Sequence, residues 1–498
     1  MQLLISAAAI FALAASAPIS AAAPLVLSNG NQLLMEWGLQ VQTATYDGTP
    51  AAVDLDAVHD ANVTGVQLGF LSDNRFPQWY GNPGAIPWSA VVWSDKTIQG
   101  TVPDPYLPYL IACQYKDEQS LADPAQRAAA ANYFTAMRAN PAFDHVLLYT
   151  NQSAGGTDET NMRLYMAQAR PDMLMFDSFY WASVNPTYNV GNSPTATYRA
   201  MAFYRKLALA GNDGTGREPI PYGRYLQGID GEYDTRGISD PNYRMSESQA
   251  RLEQFSSWAF GYKFVSAFAF KNWSDPYGNT MFFQGHDPGA PRAPFFNYFA
   301  DATRQSRNLG PTLVALQSTD LRILTGPRSG KNHGIQEFDA TADPYLKSVS
   351  ATNLGTTNDG QAGDVLLGFF NPVDESLDGP DYQNERYFMI VNGLATNDAS
   401  SADTEQLIRL AFDFTGTTID ALLRRSRETG DIERVPLVHD AGSLYHLDLT
   451  LGGGLGDLFK YDTGAPFVAA AETAVPEPAT LAFGGLFMVT AFARRRRR

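Results

Sequence analysis

Short apolar runs alternate with helical segments between Asn31 and Leu316, and this alternation constrains the fold more than any other feature of the sequence. Such continuous runs are typical of parallel strands that are buried on both faces. Eight units of this kind predict an α/β fold, a (β/α)8 TIM-like barrel, whose active site lies at the carboxyl ends of the strands. A doubly wound open sheet is the alternative. The predicted strands are residues 33–38, 63–70, 109–115, 145–150, 172–179, 222–228, 264–270 and, briefly, 281–283.

Helical segments connect the predicted strands, and one of them carries a strong start signal. Ser246 and Gln249 have the spacing of a capping box, in which each side chain bonds the other residue's backbone N–H. Beyond Leu316, short apolar runs are separated by Gly, Asn and Asp turns without a convincing long helix, so we predict an antiparallel β-sandwich domain. The predicted helices are residues 54–61, 124–139, 158–170, 195–210, 246–262 and 295–307.

Both ends of the chain are predicted to be targeting segments. Residues 1–22 carry an apolar run followed by small residues, which is typical of a secretory signal peptide. Residues 475–498 combine the letters VPEP, an apolar stretch and five terminal arginines, which would hold that end at the cytoplasmic face. This end resembles the PEP-CTERM sorting signal of bacterial surface proteins. The resemblance implies recognition by an exosortase-type enzyme and a transient membrane contact. A plain C-terminal membrane anchor is the alternative.

The predicted division of the chain is a signal peptide (1–22), a barrel (23–316), a β-sandwich domain (317–468), a linker (469–474) and a PEP-CTERM tail (475–498). We therefore expect an exported protein at the cell surface or in the extracellular matrix. Lys and Arg total 36 against 52 Asp and Glu, and the net charge of −16 argues against a nucleic-acid partner. The single cysteine, Cys113, excludes an internal disulfide.

Carboxylates and aromatic side chains follow several predicted strands, a combination that suits carbohydrate. Aromatic rings stack on the C–H faces of sugars, and a pair of carboxylates cleaves a glycosidic bond. Asp177 ends an otherwise apolar strand and, with Glu232, is the predicted catalytic pair. Asp117 and Glu118 follow the third predicted strand and are interpreted as either site residues or solvated charges near a helix start. The residues predicted to bind substrate are Glu36, Trp37, Trp79, Tyr80, Trp181, Lys271 and Trp273.

The body of the chain resembles clan-A-type glycoside hydrolases with a C-terminal β-sandwich. The resemblance rests on the barrel pattern and on segments such as PDMLMFDSFYW at 171–181, and it covers about 440 residues. It implies a glutamate at the end of strand four and a carboxylate nucleophile at the end of strand seven. The predicted ends of those strands read NQ at 151–152 and KN at 271–272 instead. Either the catalytic pair has moved to the two carboxylates named above, or the barrel is inactive.

The predicted function is cleavage of an extracellular polysaccharide. The alternatives are a non-catalytic polysaccharide-binding surface or matrix protein, and a purely structural surface protein. No cofactor and no metal are predicted, because the six histidines form no HExxH pattern and GPRSGKNHG at 326–334 lacks the spacing of a phosphate loop. The predicted partners are a polysaccharide, signal peptidase and an exosortase-type sorting enzyme.

Overall fold

The computed structural model describes residues 41–47, 54–68, 87–92, 107, 109–181, 183, 189, 193–230, 243–272, 280–285, 289–373 and 385–468. The predicted signal peptide, the first predicted strand (33–38), the linker and the PEP-CTERM tail lie outside these residues. Those assignments remain predictions. Within the described residues, no helix is long and apolar enough to cross a membrane.

Eight parallel strands close into a barrel in the order in which they occur along the chain, and β1 pairs with β8. This confirms the predicted barrel and rules out the open sheet, which would leave two unpaired edges. The strands are β1 Val41–Asp47, β2 Gly65–Leu68, β3 Trp88–Val92, β4 Leu110–Asp117, β5 Leu147–Ser153, β6 Leu174–Asp177, β7 Tyr222–Gln227 and β8 Phe264–Asn272.

The helix whose start is predicted by a capping box begins where that motif places it. Ser246 accepts from the backbone N–H of Gln249 at 3.3 Å, and the Gln249 side chain accepts from the Ser246 N–H at 3.1 Å, so the predicted capping box is present. The helices are α1 Leu55–Asp60, α2 Pro124–Arg138, α3 Glu159–Ala169, α4 Thr195–Ala210, α5 Glu247–Phe260 and α6 Pro294–Val314.

One predicted strand was wrong, and two observed strands, β1 and β3, were not predicted. The unrecognised β3 changes the numbering of the barrel strands. The aromatic residues between 76 and 93 suggest a long loop after the second predicted strand, but residues 88–92 form β3, in which Trp88 is 0% exposed. Residues 281–283 form no barrel strand, because Phe283 makes only an isolated bridge to Arg292. Each predicted strand from the third to the seventh is therefore one position later in the barrel.

Side chains of the barrel strands alternate between its interior and its coat of helices. Tyr149 of β5 belongs to an inner cluster with Met175 of β6, whereas Leu148 packs in the cluster that contains the helices. Because the side-chain period of a strand is two, Asn151 and Asp177 continue the inner series at the carboxyl ends of the same strands. The barrel interior therefore leads directly to a polar mouth.

Two antiparallel sheets follow the barrel and pack face to face. One has seven strands, with only β10 parallel to its neighbour, and the other has four. A shared core of residues from both sheets, including Phe388 and Phe412, lies between them. The strands are β9 Leu316–Leu324, β10 Gln336–Glu337, β11 Leu346–Asn353, β12 Val365–Pro372, β13 Tyr387–Asn392, β14 Gln406–Asp413, β15 Ala421–Arg425, β16 Ile432–Pro436, β17 Val438–Ala441, β18 Leu444–Leu451 and β19 Gly456–Tyr461.

One face of the seven-stranded sheet packs on the four-stranded sheet, and its other face packs on helix α5 of the barrel. On β12, Leu367 faces the core between the sheets, whereas Leu366 packs in the cluster that contains the barrel helices. Gly368 permits this approach, because a Cβ there would lie 2.0 Å from the carbonyl oxygen of Ala259 in α5. Burial on both faces explains why β12 and β13 are continuous apolar runs.

Candidate functional site

A β-bulge near the end of β4 turns Asp117 toward the barrel mouth. Gln114 of β4 pairs with Tyr149 of β5, and Asp117 pairs with Asn151, so β4 has one residue more than β5 between these two pairs. Without that extra residue, strict alternation would place Asp117 on the opposite face of β4 from Gln114. The bulge therefore adds a carboxylate to the inner series.

The backbone on both sides of Asp117 is held in an unusual conformation. Lys116 and Glu118 have φ angles of 54° and 45°, in the left-handed region that residues with a side chain rarely adopt. The Glu118 N–H donates to the carbonyl of Asn151 at 3.1 Å and so ties the bulge to β5. Strain of this kind costs of order 1–3 kcal/mol per residue and is concentrated at functional sites.

One amide nitrogen joins two aspartates across this mouth. The side-chain nitrogen Nδ2 of Asn151 donates to Asp117 Oδ1 at 2.8 Å and to Asp177 Oδ2 at 2.6 Å. These two oxygens are therefore no more than about 5.4 Å apart, the sum of the two distances. Asn151 is 2% exposed, so the surrounding barrel residues hold its bridging side chain in place. Asp117, Asn151 and Asp177 thus form a compact group at the ends of β4, β5 and β6.

The pKa values of the two aspartates are raised to different extents. Burial raises the pKa of Asp117 above its usual 3.8, and hydrogen bonds from Asn151, Gln114 and the Glu118 backbone offset part of this rise. Burial raises the pKa of Asp177 well above the usual 3.8, and the charges of Glu118 and Asp117 raise it further. The pKa of Asp177 is therefore raised further than that of Asp117.

The observed strand order changes which residues stand at the ends of strands four and seven. The amides at 151–152 follow β5, and residues 271–272 belong to β8. Strand four ends at Asp117 instead. Strand seven is followed by Asp230, whose buried carboxylate forms an ion pair with the Arg244 guanidinium at 3.1 Å. The interpretation that strand four lacks a terminal carboxylate was therefore wrong, because β3 had not been recognised.

Trp181, which follows β6, is held by a buried network. Its indole Nε1 donates to Glu253 at 2.6 Å, and the residue is 6% exposed. Glu253 also pairs with the fully buried Arg224 and accepts from the backbone N–H of Gln227 at 3.4 Å. The network fixes the segment after β6 to the end of β7. Little of the ring is left for a sugar, and the predicted substrate contact of Trp181 stays a prediction.

Lys271 is the other predicted substrate-binding residue that the structure describes. It is 4% exposed, and its Nζ lies 4.1 Å from the centroid of the Phe283 ring. Its predicted role is likewise untested. The remaining predicted site residues lie outside the described part of the chain: Glu36, Trp37, Trp79, Tyr80, Glu232 and Trp273.

A cavity of about 830 Å³ lies near the carboxyl ends of β7 and β8. It is bounded by the starts of α5 and α6 and by residues 398–403, and Arg244, Phe283 and Tyr298 form part of its wall. Neither Asp117 nor Asp177 is among the described residues that line it. In the described ranges, no group of three or more His, Cys, Asp or Glu side chains is placed to hold a metal ion.

Several solved structures of glycoside hydrolases are similar to this chain at low sequence identity. A solved structure described as a glycoside hydrolase is 10% identical with a TM-score of 0.46, over 86% of this chain and 94% of that chain. A family 5 glycoside hydrolase from Bacteroides vulgatus is 12% identical with a TM-score of 0.41, over 93% and 100% of the two chains. An endo-beta-1,4-mannanase from Cellulomonas fimi is 9% identical with a TM-score of 0.32, over 88% and 100%. No family model matches the sequence, and no curated protein does. These likenesses concern architecture and carry no information about substrate.

Proposed function

We propose that this protein is a retaining glycoside hydrolase in which Asp117 is the nucleophile and Asp177 is the general acid and base. The single observation that carries the proposal is the Asn151 bridge, which keeps two carboxyl oxygens within about 5.4 Å. Retaining enzymes hold their carboxyl groups about 5–5.5 Å apart, whereas inverting enzymes need about 6.5–9.5 Å to admit a water molecule. The pair fits retention.

The protonation of the pair assigns the two roles. A nucleophile must be ionised, and Asp117 receives amide hydrogens from Asn151 and Gln114, which favour the carboxylate. A general acid must carry its proton near neutral pH, and burial beside Glu118 raises the pKa of Asp177. Carboxyl groups in unequal environments are the usual way in which one site obtains both an acid and a base.

The reaction has two steps that balance. First, the Asp117 carboxylate attacks the anomeric carbon, the glycosidic C–O bond breaks, and the Asp177 proton passes to the leaving oxygen. A glycosyl ester of Asp117 results. Next, water attacks the anomeric carbon, its proton passes to Asp177, and the ester bond breaks. One water is consumed for each glycosidic bond that is cleaved.

A reducing-end assay of the purified protein against a panel of polysaccharides, including the host's own exopolysaccharide, tests this proposal. Asp117→Asn and Asp177→Asn should each lower turnover at least about a hundredfold. Asp158→Asn is the matched control, because Asp158 caps α3 at its N-terminus and asparagine caps a helix equally well. Glycan binding without turnover would overturn the hydrolase proposal in favour of a polysaccharide-binding protein.

Product stereochemistry gives a second and sharper test. Proton NMR of the first product should show the anomeric configuration of the substrate. In Asp117→Ala, added azide should restore turnover and form a glycosyl azide of opposite configuration, because the small anion replaces the missing nucleophile. An inverted natural product would show that Asp117 does not form a covalent intermediate.

We propose further that the protein is exported and acts on polysaccharide at the cell surface or in the extracellular matrix. Support comes from the signal-like residues 1–22 and from the PEP-CTERM-like residues 475–498. Intact-mass measurement of protein recovered from the surface fraction should give a first residue near 23 and a shortened C-terminus. A full-length protein confined to the cytoplasm would contradict export.

A further inference from the structure

A chain of buried polar side chains crosses the barrel interior and ends at Asp117. Gln67 of β2 donates to the Tyr225 hydroxyl of β7, and that hydroxyl donates to Gln114 Oε1 of β4 at 2.6 Å. The Gln114 nitrogen Nε2 then donates to Asp117 Oδ1 at 3.1 Å. Gln67, Gln114 and Tyr225 are 0%, 1% and 4% exposed. Barrel interiors are usually filled by branched apolar residues, so a polar chain at this position requires a reason.

One backbone carbonyl oxygen determines which group donates and which accepts in each of these side-chain hydrogen bonds. The Gln114 nitrogen lies 3.1 Å from the carbonyl oxygen of Lys116, which can only accept. The amide group is therefore oriented with its nitrogen toward Lys116 and Asp117 and its oxygen toward Tyr225. The Tyr225 hydroxyl must give its one hydrogen to Gln114, and it accepts from Gln67. A reversed Gln114 amide would set its oxygen against two acceptors.

We propose that Gln114 and Tyr225 are positioning residues that decide which aspartate of the pair carries the proton. The amide hydrogen of Gln114 bonds the Asp117 carboxylate more strongly than the neutral acid and so favours the ionised form, and the Tyr225 hydroxyl keeps that amide from rotating. Asn151 gives the same oxygen a second hydrogen. The proton of the pair is thereby kept on Asp177. This inference rests on the proposed roles of Asp117 and Asp177.

The other ionisable groups around Asp117 do not supply this bias. Glu118 and Asp177 are acidic and disfavour a second negative charge beside them. Tyr149 and Tyr225 are buried phenols whose pKa burial raises, so they remain neutral. The Lys116 ammonium lies over the Tyr115 ring, 4.9 Å from its centroid. Asn151 donates to both aspartates, so the donors that favour the Asp117 carboxylate over that of Asp177 are Gln114 and the Glu118 backbone N–H.

The pH profile of the full-length protein tests the proposal. The acidic limb of kcat/KM reports ionisation of the nucleophile in the free enzyme. Gln114→Leu should move this limb to higher pH by about one unit, because a hydrogen bond to a charged group is lost. Tyr225→Phe should move it in the same direction by less. Ser266→Ala is the control, since it removes another buried barrel hydroxyl, bonded to Thr43 at 2.7 Å. It should leave the limb in place.

A titration that needs no substrate separates this inference from the proposed function. The Asp117 carboxyl signal of protein containing 13C-labelled aspartate, assigned with Asp117→Asn, should titrate at higher pH in Gln114→Leu and Tyr225→Phe. If the signal moves and no glycan is hydrolysed, the positioning role stands and the hydrolase proposal fails. If glycan is hydrolysed while signal and limb stay unchanged, the positioning role is overturned. Tyr225→Phe serves alone if Gln114→Leu does not fold.

Discussion

Replacing Glu253 should destabilise the barrel by isolating a buried charge. Glu253→Gln keeps the side-chain volume and an oxygen for the Trp181 indole, but the Arg224 guanidinium, 0% exposed, loses its counter-charge. Breaking a buried ion pair from one side costs about 3–5 kcal/mol. The long 3.4 Å bond from Gln227 adds little, so we expect the lower end of that range, about 3 kcal/mol. A loss of this size raises the equilibrium constant for unfolding roughly a hundredfold.

Urea unfolding followed by circular dichroism and tryptophan fluorescence measures this loss. Arg224→Met should be similarly costly, because it leaves the Glu253 carboxylate unpaired. The double variant Arg224→Met/Glu253→Gln removes both charges and should recover most of the stability. A double variant as unstable as Glu253→Gln would refute the reasoning, since charge isolation would then not be the cause.

Three further predictions follow from single contacts. Glu118→Gln removes a negative charge that raises the pKa of Asp177, so the basic limb of kcat/KM should move to lower pH; an unchanged limb would contradict the assignment of Asp177 as the acid. Gly368→Ala should cost at least about 2 kcal/mol in urea unfolding through its clash with α5, whereas Gly155→Ala, with open space around it, should cost far less. Burial raises the pKa of Cys113 to about 12, so a thiol reagent should label it only in denaturant; rapid labelling of the native protein would argue against this burial.

Sequence reasoning was most successful where short windows carry the information. The capping box at Ser246 and the helix at 195–210 are encoded by local side chains, and both were predicted. Strand β3 was missed because Trp88 stands in a run of aromatic residues that suggested a binding loop, although its indole is fully buried. A five-residue strand has too few positions for its periodicity to be recognised.

The candidate site could be predicted only in part, for a geometric reason. Asp177 could be selected because it directly ends an apolar strand. Asp117 could not be given the same weight, because it faces the barrel mouth only through the bulge, which depends on pairing with Asn151 34 residues later. The Tyr225–Gln114 bond joins residues 111 positions apart. No pattern within a short window reports contacts at such separations.

The burial of α5 by the seven-stranded sheet makes the two halves of this protein one folding unit. Almost every side chain of α5 is buried, and its outer side is covered by β12 and β13, which lie more than 100 residues further along the chain. Contacts so distant in sequence slow folding, because a long loop must close before they form. In a newly synthesised chain, the apolar outer side of α5 therefore stays exposed to solvent until the sandwich domain has folded against it. Replacing the sandwich with an unrelated domain would expose the apolar outer side of α5 to solvent. We therefore expect the barrel and the sandwich to be inherited together.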